Sequence, residues 1–323
     1  MAFAPPCAGR PGNGGKPGIP FSVETSPATA TREKLALLRD GQVDRISLGV
    51  QSFLETEAAA MGRGQKRTAV ETALGHIREA GFPILNIDLI YGVAGQTPQS
   101  WLESLQAALA WKPEELFLYP LNVRPLTGLH KSGRSWADQR LALYRAGRDF
   151  LLEHGYTQVS MHMFRSPTSS AADGPAYCAQ EDGMVGLGCG ARSYTRELQY
   201  AMPYATGPAA IRGILGDYAA RDAKSFAQVD HGFELDEGEQ RRRYVALTLL
   251  NQAGLPRAAY RQRFGSDALT DLPQLEELET LGLASKTDRH LRLNQAGLER
   301  SDAIGPWLHS PRVTRLIKSF VLQ

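Results

Sequence analysis

The sequence predicts an α/β protein in which a parallel sheet with outer helices precedes a smaller α+β domain. Apolar β-runs alternate with helical segments from residue 21 to residue 155, and the pattern of residues 236–323 is mainly helical. The 323 residues are enough for two domains, since single domains cluster near roughly 100–200 residues. A hydrophobic content of 42% is enough to fill a core.

Four strand–helix units follow one another in the first half of the chain. The predicted strands are Phe21–Thr25, Arg45–Val50, Leu85–Tyr91 and Leu116–Val123. The predicted helices are Ala28–Arg39, Thr68–Ala80, Thr97–Ala110 and Trp136–His154. Three of them end near Gly41, Gly81 and Gly155, where a helix-terminating glycine is expected. Such a series favours a parallel sheet, either an open doubly wound sheet or part of a barrel.

The pattern changes near Tyr156. Two further strands are predicted at Gln158–Phe164 and Met184–Ser193, followed by a helical connector at Ile211–Phe226. Three helices and a β-wing then make a winged-helix-like module, with elements at Asp236–Gln252, Arg257–Phe264, Asp271–Leu281, Gly282–Ala284 and His290–Leu293. The predicted organisation is therefore an irregular Gly/Pro-rich start at 1–20, a sheet domain at 21–155, a β-region with connector at 156–235, and the winged-helix-like domain at 236–323.

Charge and hydropathy argue against nucleic-acid and membrane partners. The net charge is +2, and the basic run Arg241–Arg243 follows acidic residues, which is typical of a solvated helix start. The glutamates of the third predicted helix of the module also argue against a DNA-recognition face. Mean hydropathy is −0.29, and no apolar run reaches the roughly 18 residues that span a membrane. Since the start has no signal-peptide pattern, we expect a cytoplasmic protein.

The cysteines do not predict a disulfide framework or a metal site. Cys7, Cys178 and Cys189 are odd in number and far apart. Ten residues separate Cys178 from Cys189, and this spacing is not one that metal-binding cysteines usually have. The sequence therefore indicates no metal ligand, and it identifies no catalytic side chain.

Polar residues stand at the carboxyl ends of the predicted parallel strands, where ligands bind in such sheets. Glu24, Gln51 and Asn122 stand at the ends of the first, second and fourth predicted strands, and Asp88 lies within the third. Asp88 stands between Ile87 and Leu89, and a carboxylate among apolar residues is costly unless it is paired or binds a ligand. The alternative is a structural aspartate bonded to loop amides or to an arginine such as Arg63.

Several spaced blocks give the chain a family resemblance from about Ser22 to Leu308. They are Val23–Pro27, Gly49–Phe53, Asn86–Gly92 with Gly95–Thr97, Gly186–Ala191, and the stretch from Arg241 to Leu298. In this order and spacing, the chain resembles the oxygen-independent coproporphyrinogen III oxidases, which are radical S-adenosylmethionine (SAM) proteins. The resemblance implies a partial radical SAM (β/α) barrel lacking its first units.

The resemblance also implies cofactors and site residues. In that family a [4Fe–4S] cluster reduces SAM, and the resulting radical starts the oxidative decarboxylation of a tetrapyrrole. SAM would be held by the residues that match the family's motifs: Glu24, Gln51, Arg63, Asp88, Asn122 and Arg192. An arginine suits the methionine carboxylate, while carboxylates suit ribose hydroxyls or the amino group. The substrate would be a small molecule, tetrapyrrole-like or of another kind.

The departures from the family pattern are as informative. No Cys-x3-Cys-x2-Cys cluster motif occurs in the sequence, and Arg192 replaces a usual histidine. We therefore expect no SAM cleavage by this polypeptide. Three explanations are open. The first is a wrong gene start or a frameshift, and the second is a pseudoenzyme that binds SAM, a tetrapyrrole, haem or a partner protein. The third is a split enzyme that is completed by an N-terminal partner chain. His162 is either a core or substrate-facing residue, a catalytic one, or a haem ligand.

Overall fold

The computed structural model describes residues 21–123, 136–169, 178–205, 207–222, 224–229 and 231–319. The predicted irregular start at 1–20, with Cys7, lies outside these residues. The described chain falls into two compact units. The first unit holds residues 21–122 and 136–169, and the second holds residue 123 and the described part of 178–319.

A six-stranded sheet forms the centre of the first unit. Its strands are β1 (Ser22–Thr25), β2 (Arg45–Gln51), β3 (Ile84–Tyr91), β4 (Glu115–Pro120), β5 (Thr157–Gln158) and β6 (Met163–Arg165). The spatial order is β1-β2-β3-β4-β6-β5, with β1 to β4 parallel and β6 antiparallel to β4. The α/β prediction is confirmed. Neighbouring parallel strands in chain order are typical of a barrel wall rather than of a doubly wound sheet.

Five helices connect these strands: α1 (Arg32–Asp40), α2 (Glu55–Ala60), α3 (Arg67–Ala80), α4 (Pro98–Leu109) and α5 (Arg140–Glu153). Helix α1 begins four residues later than predicted because Thr31 is its N-cap and accepts a hydrogen bond from the backbone of Lys34. Thr97 and Ser100 form a capping box at the start of α4. The short helix α2 is absent from the sequence prediction.

The two faces of the sheet differ in chemistry. One face carries Ile46, Leu48, Leu85, Ile87, Leu89, Leu116 and Leu118, all fully buried in the hydrophobic core with the helices. In the same core, α4 and α5 approach closely because residue 147 is glycine. A Cβ atom at Gly147 would lie 2.5 Å from Nε1 of Trp101. The other face of the sheet is largely polar and carries the residues of the candidate site.

The second unit begins with a small antiparallel sheet. Its strands are β7 (Arg192–Tyr194), β8 (Leu198–Ala201) and β9 (His231–Glu234), and its helices are α6 (Ala179–Asp182) and α7 (Pro208–Ala220). The long strand predicted at Met184–Ser193 is wrong. Met184 forms an isolated bridge, and Arg192 and Ser193 belong to β7, but the residues between them are not a strand, because Gly188 and Gly190 adopt left-handed backbone conformations that interrupt an extended chain.

The rest of this unit has the element order of a winged helix. Helices and strands follow as α8 (Glu237–Leu249), β10 (Leu255–Pro256), α9 (Arg257–Phe264), α10 (Ala268–Asp271), α11 (Glu276–Thr280), β11 (Ala284–Lys286) and β12 (His290–Leu293). Three short helices end it: α12 (Gln295–Leu298), α13 (Ser301–Trp307) and α14 (Pro311–Ser319). Strands β11 and β12 form the predicted wing. Buried apolar side chains from these elements form a second core.

Two further differences from the sequence analysis concern residues 156–235 and the arginine run. Strands β5 and β6 extend the first sheet, whereas β7 to β9 form a sheet of their own, so the stretch placed in one β-region contributes to two sheets. Arg243 is not solvated as predicted. Its side chain is 9% exposed and pairs with Glu181, and burial lowers the pKa of its guanidinium.

No helix among the described residues has both the length and the apolar character needed to cross a bilayer.

Candidate functional site

A polar row crosses the sheet of the first unit on the face opposite the hydrophobic core. Glu24, Ser47, Asn86 and Glu115 are register partners on β1 to β4, so their side chains lie on one face. Ser47, Asn86 and Glu115 are buried, and Glu24 is exposed at the edge strand. Buried polar groups require partners. The contacts within this row therefore determine what it can bind.

Glu115 is satisfied by the protein itself. The Nε of Arg45 donates a hydrogen bond of 2.8 Å to Glu115 Oε2, and both side chains are buried. Arg165 on β6 approaches the other carboxylate oxygen at 3.7 Å. The guanidinium of Arg45 also lies 5.7 Å from the ring centroid of Phe117. This pair closes the amino-terminal end of the polar face.

Asp88 lies next to this row and is held by two neighbours. The Nδ2 of Asn86 donates to Asp88 Oδ1 at 2.7 Å, and the Oγ of Ser47 donates to Asp88 Oδ2 at 3.0 Å. Burial raises the pKa of the Asp88 carboxyl, while these two hydrogen bonds and the charge of Arg45 act in the opposite direction. The negative charge of Glu24, the register partner of Ser47, also raises the pKa of the Asp88 carboxyl.

Gln51 reaches the same place through an unusual backbone. It adopts a left-handed conformation with φ of 68°, and the pairing of β2 with β3 slips between Gly49 and Gln51. The side chain then folds back along the strand: a Cβ atom at Gly49 would lie 2.7 Å from Gln51 Nε2. Because Gly49 is the register partner of Asp88, the missing side chain makes room for the Gln51 carboxamide beside Asp88.

A second buried carboxylate, Glu57 on α2, fixes the loops that follow β2 and β3. It accepts hydrogen bonds from Ser52 Oγ at 2.7 Å, Gln96 Nε2 at 3.0 Å and Ser100 Oγ at 2.6 Å. Gln96 in turn accepts from the backbone N–H of Gly92 at 2.7 Å. Since Ser52 follows Gln51 directly, this network holds the strained residue in place.

Aromatic side chains line the carboxyl end of β4. The rings of Tyr119 and His162 stack with centroids 5.6 Å apart, and Phe117 stacks on Tyr119 at 5.8 Å. A hydrogen bond of 2.9 Å joins His162 Nδ1 to the carbonyl oxygen of Leu118. Burial, then the charge of Asp88, raises the pKa of the Tyr119 hydroxyl, which keeps it protonated as a hydrogen-bond donor.

The structure brings together three of the six residues predicted to bind SAM: Glu24, Gln51 and Asp88. The suggestion that Asp88 is bonded to Arg63 is wrong, because its partners are Ser47 and Asn86. Arg63 is exposed in the loop after α2. Asn122 is exposed after β4, and its Oδ1 accepts a hydrogen bond of 3.5 Å from Arg140. Arg192 is exposed on β7 in the second unit.

Sequence reasoning overlooked Ser47, Asn86, Glu57 and Tyr119. Ser47 and Gly49, and likewise Asn86 and Asp88, alternate with apolar residues along their strands. This spacing of two residues could have shown that these positions share one face of the sheet. Within the described part of the chain, no cluster of three or more His, Cys, Asp or Glu side chains could hold a metal ion. Neither Cys178 nor Cys189 forms a disulfide within the described part of the chain.

Two protein-family models match separate parts of the chain. The Radical SAM superfamily matches residues 7–108, and the HemN C-terminal domain matches residues 235–299. These two matches, together with the relatives and the solved structure below, support a coproporphyrinogen III oxidase-like radical SAM family for this chain. The family resemblance predicted from the sequence is therefore confirmed.

Curated relatives in this family have two different names. The chain is 26% identical to "Heme chaperone HemW" of Bacillus subtilis (strain 168), over 86% of its own length and 72% of that relative. It is 29% identical to "Oxygen-independent coproporphyrinogen III oxidase" of Escherichia coli (strain K12), over 71% of its own length. This second match spans about half of the relative, 49% of its length.

A solved structure supports the fold. The coproporphyrinogen III oxidase HemN from Escherichia coli, described as a radical SAM enzyme, superposes with a TM-score of 0.73 and 23% sequence identity. The match covers 90% of this chain and 69% of that one. The fold class predicted from the sequence is confirmed by this likeness.

Proposed function

We propose that this chain is a coproporphyrinogen III oxidase-like protein that binds SAM on the polar face of its parallel sheet, without cleaving SAM as the polypeptide stands. The observation that carries the proposal is the convergence of Glu24, Gln51 and Asp88 beside the side-chain-free position of Gly49. These groups supply two carboxylates and a carboxamide at the place where parallel sheets bind ligands.

The donor and acceptor chemistry of this site fits SAM. Asp88 and Glu24 can accept hydrogen bonds from ribose hydroxyls or from the amino group, and Gln51 can both donate and accept. Arg63 is a candidate partner for the methionine carboxylate, and Asn122 and Arg192 are candidates for the nucleoside. In this family SAM and a reduced [4Fe–4S] cluster supply radical chemistry, and the protein positions them.

The residues do not fit the cluster in the same way. A [4Fe–4S] cluster is held by several cysteine thiolates, but the sequence has three cysteines in all, at positions 7, 178 and 189. No described cluster of potential ligands could hold a metal ion. The proposed activity of this polypeptide is therefore binding.

Equilibrium dialysis with labelled SAM, on the purified full chain, tests the binding. We expect saturable binding that Asp88→Ala weakens at least tenfold, while Thr72→Ala leaves it unchanged. Thr72 is a suitable control because it lies exposed on α3 of the same unit, where its hydroxyl donates to the carbonyl oxygen of Thr68. Absence of saturable binding by the unaltered chain would refute the proposal.

A cleavage assay tests the second half of the proposal. The chain is incubated anaerobically with iron, sulfide, SAM and a strong reductant, and 5′-deoxyadenosine is measured by chromatography. We expect none above a reaction without protein. Formation of 5′-deoxyadenosine in proportion to the protein concentration would show that the chain assembles a working cluster.

The second candidate is a tetrapyrrole- or haem-binding protein of the same family. It is favoured by the relative named a haem chaperone and by the stacked pair of Tyr119 and His162 beside Asp88. Because the Leu118 carbonyl oxygen only accepts hydrogen bonds, Nδ1 of His162 is the donor of the bond that orients the ring.

A hemin titration followed by the Soret band distinguishes this candidate. His162→Ala should weaken hemin binding at least tenfold, and His154→Ala, at an exposed residue of the same unit, should not. Equal affinities of both variants and the unaltered chain would exclude His162 as the haem ligand.

A further inference from the structure

Helix α14 of the second unit is amphipathic. Its apolar residues Val313, Leu316 and Ile317 are spaced by three and four positions, so they lie on one side of the helix. Leu316 is 45% exposed and Ile317 is 56% exposed, whereas Val313 is half-buried. A single exposed apolar side chain is ordinary on a protein surface. Leu316 and Ile317 together form an apolar strip that is open to solvent along the helix.

Basic residues occupy the other side of α14. Arg312, Arg315 and Lys318 follow one another at intervals of three residues, and the helix contains no acidic residue. Arg312 lies 3.6 Å from Asp236, but neither Arg315 nor Lys318 forms an ion pair with any residue that the structure describes. Both of these side chains are exposed. Two cations without a described counter-charge therefore accompany the apolar strip.

The start of α14 is attached to α8 of the same unit. Ser310 Oγ donates a hydrogen bond to the buried carboxylate of Glu239, and it accepts one of 3.1 Å from the backbone N–H of Val313. Nη1 of Arg242 donates to the carbonyl oxygen of Leu308 at 3.1 Å. These bonds hold the helix against the folded unit, so a partner can reach the apolar strip from the outer side only.

This arrangement fits a flat anionic surface better than a groove in another protein. A helix that binds in a groove uses side chains at positions i, i+3, i+4 and i+7, and here the first of them, Val313, is already half-buried by the chain itself. A helix that lies on a membrane needs only one apolar face at the acyl boundary and basic side chains that reach anionic headgroups. The low mean hydropathy argues against a helix that spans a bilayer, but it does not bear on a helix that lies on the surface.

We propose that α14 binds the surface of an anionic phospholipid bilayer, with Leu316 and Ile317 at the boundary of the acyl chains and Arg315 and Lys318 paired with lipid phosphates. Each basic side chain near such a surface adds an attraction that salt screens. Since only two large apolar side chains take part, the binding is weak and reversible. It is independent of the proposed SAM binding, because α14 belongs to the second unit and the polar face belongs to the first.

Co-sedimentation of the full chain with lipid vesicles tests this proposal. Vesicles of phosphatidylcholine and phosphatidylglycerol in equal amounts are compared with vesicles of phosphatidylcholine alone, each at low and at high salt. We expect the chain to bind the anionic vesicles, and to bind them less at high salt. Lys318→Gln should weaken this binding about fivefold, and Ile317→Glu should weaken it about tenfold or more, because it removes apolar contact and adds a like charge.

Two control variants match these substitutions. Leu281→Glu alters another aliphatic residue of the second unit, which is 66% exposed at the end of α11, and Lys34→Gln removes an exposed lysine from α1. Both should bind the anionic vesicles like the unaltered chain, and urea unfolding verifies that all four variants are folded. Equal binding to both kinds of vesicle, or equal losses in the test and control variants, would overturn the proposal. Failure of the unaltered chain to bind any vesicle would overturn it as well and would assign the apolar strip to a protein partner.

Discussion

Glu57 and Asp88 are both buried carboxylates of the first unit, yet their surroundings differ in one respect. Glu57 accepts hydrogen bonds from Ser52, Gln96 and Ser100, so its donors all come from the protein. Asp88 accepts from Ser47 and Asn86, but Asn86 Oδ1 has no donor among the residues that the structure describes. A carboxylate saturated by its own chain joins loops together, whereas one beside an unsatisfied acceptor is suited to a ligand.

The comparison also separates two ways of placing functional groups. Glu57 lies on the short helix α2 and fixes the loops behind the site, including Ser52 next to Gln51. Asp88 lies within β3 and depends on the register of three neighbouring strands. A side chain on a loop needs such an anchor to hold it in place, whereas a side chain on a strand is already positioned by the hydrogen bonds of the sheet.

The largest effect should come from removing the saturated carboxylate. Glu57→Ala removes the buried carboxylate that joins Ser52, Gln96 and Ser100, and it should lower the free energy of unfolding by about 3 kcal/mol. Asp88→Ala should cost about 1 kcal/mol, since Ser47 and Asn86 can still bond to each other. Urea unfolding of the two variants measures the difference, and equal losses would contradict the proposed division of roles.

Substitutions of Gln51, whose backbone is strained, should have an intermediate effect on the free energy of unfolding. A β-branched side chain is poorly tolerated at the left-handed backbone of Gln51, so Gln51→Val should cost about 1–2 kcal/mol. Gln51→Gly should be no less stable than the unaltered chain, although it loses the carboxamide and with it affinity for SAM. A stable Gln51→Val protein would show that the loop relaxes in spite of its anchor.

A smaller, pH-dependent difference should distinguish Asp88. Burial raises its pKa in the folded state above the ordinary value of 3.8, so near and above that pH the folded chain binds more protons than the unfolded chain. Its contribution to stability therefore falls as the pH rises from 3.8 through the raised folded pKa. The stability of Asp88→Asn relative to the unaltered chain should increase over that range.

Denaturation curves at a series of pH values measure this trend. Ser104→Ala, which removes no titratable group, should give a difference from the unaltered chain that is constant with pH. A difference between Asp88→Asn and the unaltered chain that is equally constant would mean that burial does not govern the Asp88 carboxyl.

The smallest effect provides the baseline. Arg67 and Glu71 form an exposed pair one turn apart on α3, with an Nε–Oε1 distance of 2.8 Å. Glu71→Gln should change the free energy of unfolding by no more than about 0.5 kcal/mol. A loss comparable with that of Glu57→Ala would show that burial is not what separates these carboxylates.

Local patterns were sufficient to predict most of the first unit. Apolar runs of β-type residues fixed β2 and β3 to within about a residue, because each strand contributes to a buried core. The strand predicted at Met184–Ser193 failed because glycine conformations there depend on contacts that spacing does not show. Gly186 is an example: a Cβ atom on it would lie 2.3 Å from the carbonyl oxygen of Arg192.

The site was predictable where a polar residue ends a strand, and not elsewhere. Glu24, Gln51 and Asp88 were found because they interrupt or end apolar runs. Asn86 was missed because its role appears only when Ser47 pairs with it across β2 and β3. Glu57 was missed because two of its donors, Gln96 and Ser100, are about forty residues away in the sequence and meet it only in the folded chain.

The close approach of α4 to α5 gives the first unit a built-in spectroscopic reporter. The Trp101 indole is fully enclosed, its N–H lacks an acceptor among the described residues, and Gly147 lies against it. An indole so isolated from solvent emits at short wavelength, whereas Trp307 of the second unit is 36% exposed. A red shift of the short-wavelength emission therefore follows the melting of the sheet unit, independently of the winged helix.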